Sequence, residues 1–263
     1  GQLAKYHQIV LALTKLGYEN LVKLTTLSHL NGWQGNGAFG RPCISKRLLY
    51  KYKKDIVITS ACLGGEICQN LLDKNFSYAI KVASWYKNNF NEFFFLELQD
   101  HGHREDRAVN MGILKIGEKL NIRLISTNDS HFTRDSDVEG HDTLLCIQTG
   151  KPFDEPGRMR YSGVEFLKSQ DEMNNMYRDH VPIPRIESAL NSSILVSKQA
   201  ENYSIWAEIT IPTFEMPSEF KNLTLDEFLE FLGYSGLHRI IKSKFLSNPE
   251  NSSNEKFKNV GFM

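Results

Sequence analysis

The chain has 263 residues, enough for one large domain or two small ones. It is 41% hydrophobic and 24% charged, the ordinary balance of a globular protein with a sizeable core. Lys and Arg number 31, as do Asp and Glu, so the formal net charge is zero, without the excess of positive charge usual in a protein that grips duplex DNA with a basic surface. Any nucleic-acid contact is expected to be local, or to be made by another part of a larger protein. No apolar run reaches about 18 residues, so no transmembrane helix is expected. The opening "GQLAKYHQIV" has no initiator Met and no signal-peptide layout, and reads as the interior of a longer chain. The cysteines at 43, 62, 68 and 146 show no CxxC spacing, which favours a reducing, cytoplasmic setting over disulfides.

In chain order, "YHQIVLAL" (6–13) predicts a short strand. Leu21, Leu24, Leu27 and Leu30 follow at helical spacing, and Asn31-Gly32 ends that helix. The Gly-rich stretch 31–42 lacks the GK[ST] ending of a phosphate loop and reads as plain connection. Ser45 is placed to cap a short helix through Tyr52. "DIVITSA" (55–61) predicts a strand stopped by Gly64-Gly65, and 66–90 predicts two helices with a break near 73–75. "EFFFLELQDH" (92–101) is a third strand, 104–120 an amphipathic helix, "NIRLIST" (121–127) a fourth strand and 135–147 a helix. Three strand-then-helix units in succession imply parallel strands with right-handed crossovers, whose chemistry sits at the strands' carboxyl ends.

After Lys151 the pattern changes to an irregular loop, a capping box at Ser169–Glu172, and a helix over 185–202. A Pro-punctuated extended linker covers 211–220, and a second capping box, Thr224–Glu227, opens a helix to about Phe245. The polar tail from 247 onward is expected to be disordered. The division expected is 1–150, 151–210, 211–246 and 247–263.

Metal-ligating residue types recur along these strands. His7 is near the start of the first; Cys62, Asp100-His101 and Asp129 with His131 follow the next three. The Asp-x-His spacing of "STNDSHF" points both side chains to one face of an extended chain. Imidazole, thiolate and carboxylate together suit Zn²⁺, or Mn²⁺ and Fe²⁺ with more oxygen. Each residue also has a bland reading. Cys62 alone reads as a buried structural thiol, and Cys68 and Cys146 as core. His101 is either a ligand or a strand-end histidine bonding backbone, and His103 is solvated loop. His141 falls mid-helix with a packing or hydrogen-bonding role; His29, His180 and His238 read as surface or helix residues. The Phe93–Phe95 run reads as core rather than as a stacking platform for bases.

"TSACLGGEI" (59–67), "FLELQDHG" (95–102), "STNDSHF" (126–132) and "HDTLLCIQTGK" (141–151) occur in that order, preceded by "YHQIVLALTKLGYENLVKL" (6–24) and "GRPCISKRLL". Together they resemble the PHP (polymerase and histidinol phosphatase) domain of the bacterial replicative DNA polymerase III alpha family, over about residues 3–245. The resemblance implies an α/β fold: an incomplete, distorted (β/α)₇ PHP barrel, then a mainly helical segment leading toward a polymerase region. It implies a metal cluster at the strand ends, with His7, Cys62, Asp129 and His131 as ligands holding Zn²⁺ or Mn²⁺. Glu97, Asp100, His101 and His141 would stand behind those ligands. Members with an intact cluster remove nucleotides 3′ to 5′; in others the domain is structural or docks a separate proofreading exonuclease.

The family pattern opens with an HxH strand and further acidic ligands upstream of residue 1, and its polymerase carboxylates lie far downstream. For the full-length protein the resemblance implies a DNA-directed DNA polymerase, a nucleotidyltransferase using Mg²⁺ and acting on DNA with other replicase subunits. This stretch alone is expected to lack polymerase activity and to carry a partial metal site. Two further readings stand beside it: a stand-alone PHP-type phosphoesterase, which leaves "LELQDHG" and "LLCIQTGK" unexplained, and a non-catalytic docking scaffold.

Overall fold

A computed structural model describes residues 4–36, 40–200 and 202–243. The chain divides into two compact units, 1–206 and 207–263.

The first unit is built on an open four-stranded sheet. Its strands are β1 (Val10–Ala12), β4 (Ile56–Thr59), β5 (Phe94–Leu98) and β6 (Leu124–Ser126), side by side in that order. β4, β5 and β6 run parallel, with Thr59 opposite Phe95 and Glu97 opposite Ile125. β1 runs antiparallel to β4, with Leu11 opposite Val57. The described strands form an open sheet rather than a closed barrel.

Helices make the crossovers. After β4 come α3 (Glu66–Leu72) and α4 (Phe76–Phe90), broken at Asp73-Lys74-Asn75, where Lys74 takes a positive φ of 57°. Asn75 then caps α4 by accepting the Tyr78 N–H. α5 (Arg104–Leu120) joins β5 to β6 and ends on Asn121 in the left-handed conformation. α6 (Val138–Thr149) follows β6. Ahead of these, α1 (Lys15–Asn31) starts on a Thr14 cap, and α2 (Lys46–Lys51) starts on Ser45, the cap that the sequence predicts for it. α7 (Gln170–Tyr177) opens with the Ser169–Glu172 capping box, and α8 (Ile183–Gln199) packs on β6, where Ser193 Oγ donates to the Ser126 carbonyl at 2.6 Å.

Both faces of the sheet are covered, as parallel strands require. Every residue of β4 and β5 is buried. One face carries Ile58, Phe94, Leu96, Leu98 and Leu124, packed with Ile113, Ile116, Tyr177 and Ile186 from the helices. The other carries Val57, Phe95 and Ile125, with Leu13 and Val196. Phe94 and Phe95 thus fill opposite layers, the core role their alternation predicts.

Three expectations change. The segment 31–42 is not plain connection: β2 (Trp33–Gln34) and β3 (Arg41–Pro42) pair antiparallel. Gly40 permits this because a Cβ there would come 2.3 Å from the Trp33 indole nitrogen. His180 is not a surface residue: its side chain is 8% exposed, since the turn after α7 folds it onto Asn110 and Asp179. Cys146 is only half-buried, because α6 turns Leu144 and Ile147 outward.

In the second unit, an extended stretch leads to a short turn at Ser218–Phe220 and then to α9 (Leu225–Ile241). Thr224 and Glu227 form the expected capping box. Phe214, Phe220 and Phe231 gather around the buried Phe228, with the Phe220 and Phe228 rings 4.9 Å apart.

Candidate metal centre

Because the strand pleat alternates, Val57 and Thr59, Phe95 and Glu97, and Ile125 and Thr127 share one face. Along that face an apolar layer gives way to a polar one at the carboxyl ends. Glu97 is buried, and its carboxylate accepts from the Thr59 and Thr127 hydroxyls and, at 2.7 Å, from Gln99 Nε2. Ser60 Oγ accepts the Glu97 main-chain N–H at 2.8 Å. One carboxylate therefore ties together the ends of three strands. Gln99 Oε1, buried beside it, has no hydrogen-bond partner among the described residues.

Above this floor lies Cys62. The chain leaves β4 through Ala61, which takes a left-handed φ of 61° that costs a non-glycine residue on the order of 1 kcal/mol. The tight turn is closed by the Gly65 N–H on the Cys62 carbonyl at 2.8 Å. His7 reaches the same place from β1. Since β1 is antiparallel, its start lies where β4 ends. His7 N donates to the Gly64 carbonyl at 2.9 Å, and His7 Nδ1 stands 3.3 Å from Cys62 Sγ. Gly64 allows this approach: a Cβ there would lie 2.9 Å from His7 Nδ1. Burial pushes the Cys62 thiol up; the Gly64 backbone opposes this, and the Asp129 and Glu97 carboxylates add to it.

Asp129 and His131 follow β6. His131 Nε2 is 3.4 Å from Asp129 Oδ1. The His131 main chain is pinned by its N–H to the Glu165 carbonyl at 2.7 Å, and its ring lies 4.2 Å from the Tyr161 ring, centre to centre. Glu165 is itself fixed by Ser162 and the Gly163 N–H; burial raises its carboxyl, but those hydrogen bonds outweigh burial and hold it below the usual range.

His101 also enters: its Nε2 is 3.6 Å from Asp129 Oδ2, while its Nδ1 is 3.3 Å from Asp106 Oδ1. Asp106 is 1% exposed and also accepts the His101 main-chain N–H at 3.0 Å. The hydrogen bond to Asp106 raises the His101 ring; burial pulls the other way.

Of the remaining residues expected behind the ligands, Glu97 lies beneath them. Asp100 faces away: it accepts the Gly102 N–H at 2.7 Å, and its other oxygen is 3.7 Å from His180 Nε2. Burial pushes its carboxyl up. His141 joins an aromatic group, 5.1 Å from Tyr161 and 5.3 Å from Phe132. Asp106 and Tyr161 escaped notice in the sequence. Asp106 reads there only as an acidic residue in a helix's first turn, and nothing marks Tyr161.

The four expected donors thus come together as two pairs, His7 with Cys62 and Asp129 with His131. Among the described residues no group of three His, Cys, Asp or Glu side chains is placed to hold a metal ion. The donor chemistry suits a borderline divalent cation, with nitrogen and sulfur in one pair and nitrogen and oxygen in the other. The orphaned Gln99 oxygen adds a further acceptor nearby.

A family profile described as "PHP domain" matches residues 2–101. The DNA polymerase III subunit alpha of Borreliella burgdorferi is 35% identical over 88% of this chain and 19% of its own length. The corresponding subunit of Saccharopolyspora erythraea is 33% identical over 79% of the chain and 17% of its length, and that of Campylobacter jejuni 29% over 82% and 18%. The chain therefore spans less than a fifth of the length of these relatives. The ordered strand-end motifs, the matched profile and these relatives agree: the chain belongs to the PHP-domain region of the DNA polymerase III alpha family.

Proposed function

We propose that this chain is a divalent-cation-binding PHP module of a replicative polymerase alpha subunit, with His7 and Cys62 as one donor pair and Asp129 and His131 as the other, for Zn²⁺ or Mn²⁺. The observation that carries the reading is the 3.3 Å approach of His7 Nδ1 to Cys62 Sγ across 55 positions, at the sheet end that also presents Asp129 and His131. A bound cation of this kind supplies Lewis acidity toward a phosphoester and a lowered pKa for water. The chain's own residues fix the donors. Glu97 locks the strand ends, Ala61 and Gly65 shape the turn that presents Cys62, and the Glu165 carbonyl with the Tyr161 ring holds His131. The activity such a centre supports is removal of nucleotides 3′ to 5′.

The whole protein is proposed, from its relatives' name, to carry out template-directed DNA synthesis in the cytoplasm, with Mg²⁺, on DNA, and with other replicase subunits including a proofreading exonuclease. Among the described residues no helix is long and apolar enough to cross a membrane. One observation favours a second reading, a docking scaffold without metal: the described donors form pairs and no group of three.

Calorimetric titration of the chain with Zn²⁺ and with Mn²⁺ separates the two. The metal reading expects weak uptake that a Cys62→Ala, Asp129→Ala double variant loses. Equal heats for wild type and double variant leave the scaffold.

A further inference from the structure

We infer that the cavity between α6 and Tyr161 is a nucleobase subsite, which stacks the last base of a single-stranded DNA 3′ end beside His131. The inference rests on the reading above and takes from it only that the substrate is a DNA 3′ end.

The size and lining of the cavity carry it. Its volume is about 240 Å³, below the roughly 300–1,000 Å³ of a pocket for a drug-sized molecule, which leaves room for one flat ring system. Its walls include the rings of Phe153, Tyr161 and His141 and the aliphatic Leu145 side chain. Of its charged members, Asp142 is taken up by Arg158, which leaves Glu139 and Arg160. Arg160 Nη2 donates to the Phe153 carbonyl at 2.8 Å. A guanidinium has five N–H donors, so others remain for a ring carbonyl or a phosphate oxygen. The Glu139 carboxylate can accept from the amino group of a base. A mostly apolar, aromatic-walled hollow with a few polar groups has the make-up of a small-ligand site. Stacking on such walls tolerates any base, because every base has a π-face.

The second observation is where the cavity lies. Tyr161 belongs both to its wall and to the donor end of the sheet, with its ring centre 4.2 Å from that of His131. The His141 ring stands 5.1 Å from Tyr161 and 6.0 Å from His131. One layer of rings therefore separates the cavity from the Asp129–His131 pair. In the proposed placement the base fills the cavity, and its sugar and phosphate lie on the side of that pair. Phe153 is 49% exposed, so half of a large ring is left over from core packing. A chain of zero net charge is expected to touch DNA only locally, and a pocket for one terminal base is such a contact.

The test uses the full chain and a short single-stranded thymidine oligonucleotide whose last 3′ nucleotide carries 2-aminopurine, a base whose fluorescence falls when it stacks. Titrations are run in EDTA, so that no cation enters the result. Wild type should quench the 3′ probe saturably and leave the same probe at the 5′ end unquenched. Phe153→Ala and Tyr161→Ala should each weaken binding of the 3′ probe about 5–150-fold, the span of one lost stacking contact. Tyr161→Phe keeps the ring and should bind as wild type does. No saturable quenching by wild type, or equal quenching of both ends, overturns the inference without reference to any variant. Wild-type affinity in both alanine variants overturns it as well. Failure of the metal reading appears separately, as absent uptake in the Zn²⁺ and Mn²⁺ calorimetry.

Discussion

The Tyr177 hydroxyl, at the end of α7, donates to the Leu98 carbonyl at the end of β5, 2.9 Å away across 79 positions. It also accepts from Ser126 Oγ at 3.2 Å, so one buried phenol joins a late helix to the ends of two parallel strands. Burial pushes its own ionisation up, and the Ser126 hydrogen bond opposes this. Tyr177→Phe keeps the ring and removes both hydrogen bonds. A loss of about 1–3 kcal/mol is expected in urea unfolding with an unchanged slope. An unchanged midpoint would reduce Tyr177 to a space-filling role.

Glu97 is the common acceptor for Thr59, Thr127 and Gln99. Glu97→Ala strands these donors, the buried Thr59 hydroxyl among them, and opens a void between strand ends. Its cost is expected to be on the order of 3 kcal/mol, with Glu97→Gln intermediate because one amide oxygen still accepts. Equal stability of the alanine variant and wild type in chemical denaturation would contradict the role given to this carboxylate.

Cys68 is 1% exposed, and burial raises its thiol from 9.0 to about 12. The pKa is higher in the folded state than in the unfolded chain. The contribution of the neutral thiol is therefore fully present below about pH 9 and is lost as pH climbs toward 12. The stability advantage of wild type over Cys68→Ala should shrink across that interval, measured as the gap between urea midpoints at successive pH values. A constant gap from neutral pH to pH 11 would rule this out. At pH 8, iodoacetamide should modify Cys43, Cys62 and Cys146 before Cys68.

Arg158 sits buried as a two-pronged donor to Asp142 of α6, with Nη1 at 2.5 Å from Oδ1 and Nη2 on Oδ2. Its Nε also donates to the Phe153 carbonyl at 2.8 Å, so the guanidinium fastens the loop after α6. Asp142→Asn removes the charge and half of the fork. Trypsin should then cut the variant faster at Arg158 and Arg160, with the far-UV spectrum unchanged. Matching cleavage rates would mean the loop is held by other contacts.

Much of the local structure was legible from the residues. Ser45, Ser169 and Thr224 sit where a cap must be, and each does cap a helix. The alternation in β5 separates Phe94 from Phe95 onto opposite layers. The break between α3 and α4 falls at the Asp-Lys-Asn turn. These features depend on neighbours a few positions apart, and period and capping chemistry report such neighbours directly. The placement of Cys62, Asp129 and His131 just beyond strand ends follows for the same reason.

Other features needed the folded chain. The direction of β1 is set by its pairing with β4 more than 40 residues later, and that direction alone brings His7 to Cys62. Asp106 looks like any acidic residue in a first helical turn until the bend at Gly102 turns it under His101. The sequence by itself determined which donor types reach the carboxyl end of the sheet. Only the tertiary structure decided how they are grouped, as His7 with Cys62 and as two imidazoles about one carboxylate, because distances among side chains are set by long-range pairing and packing that no local pattern encodes.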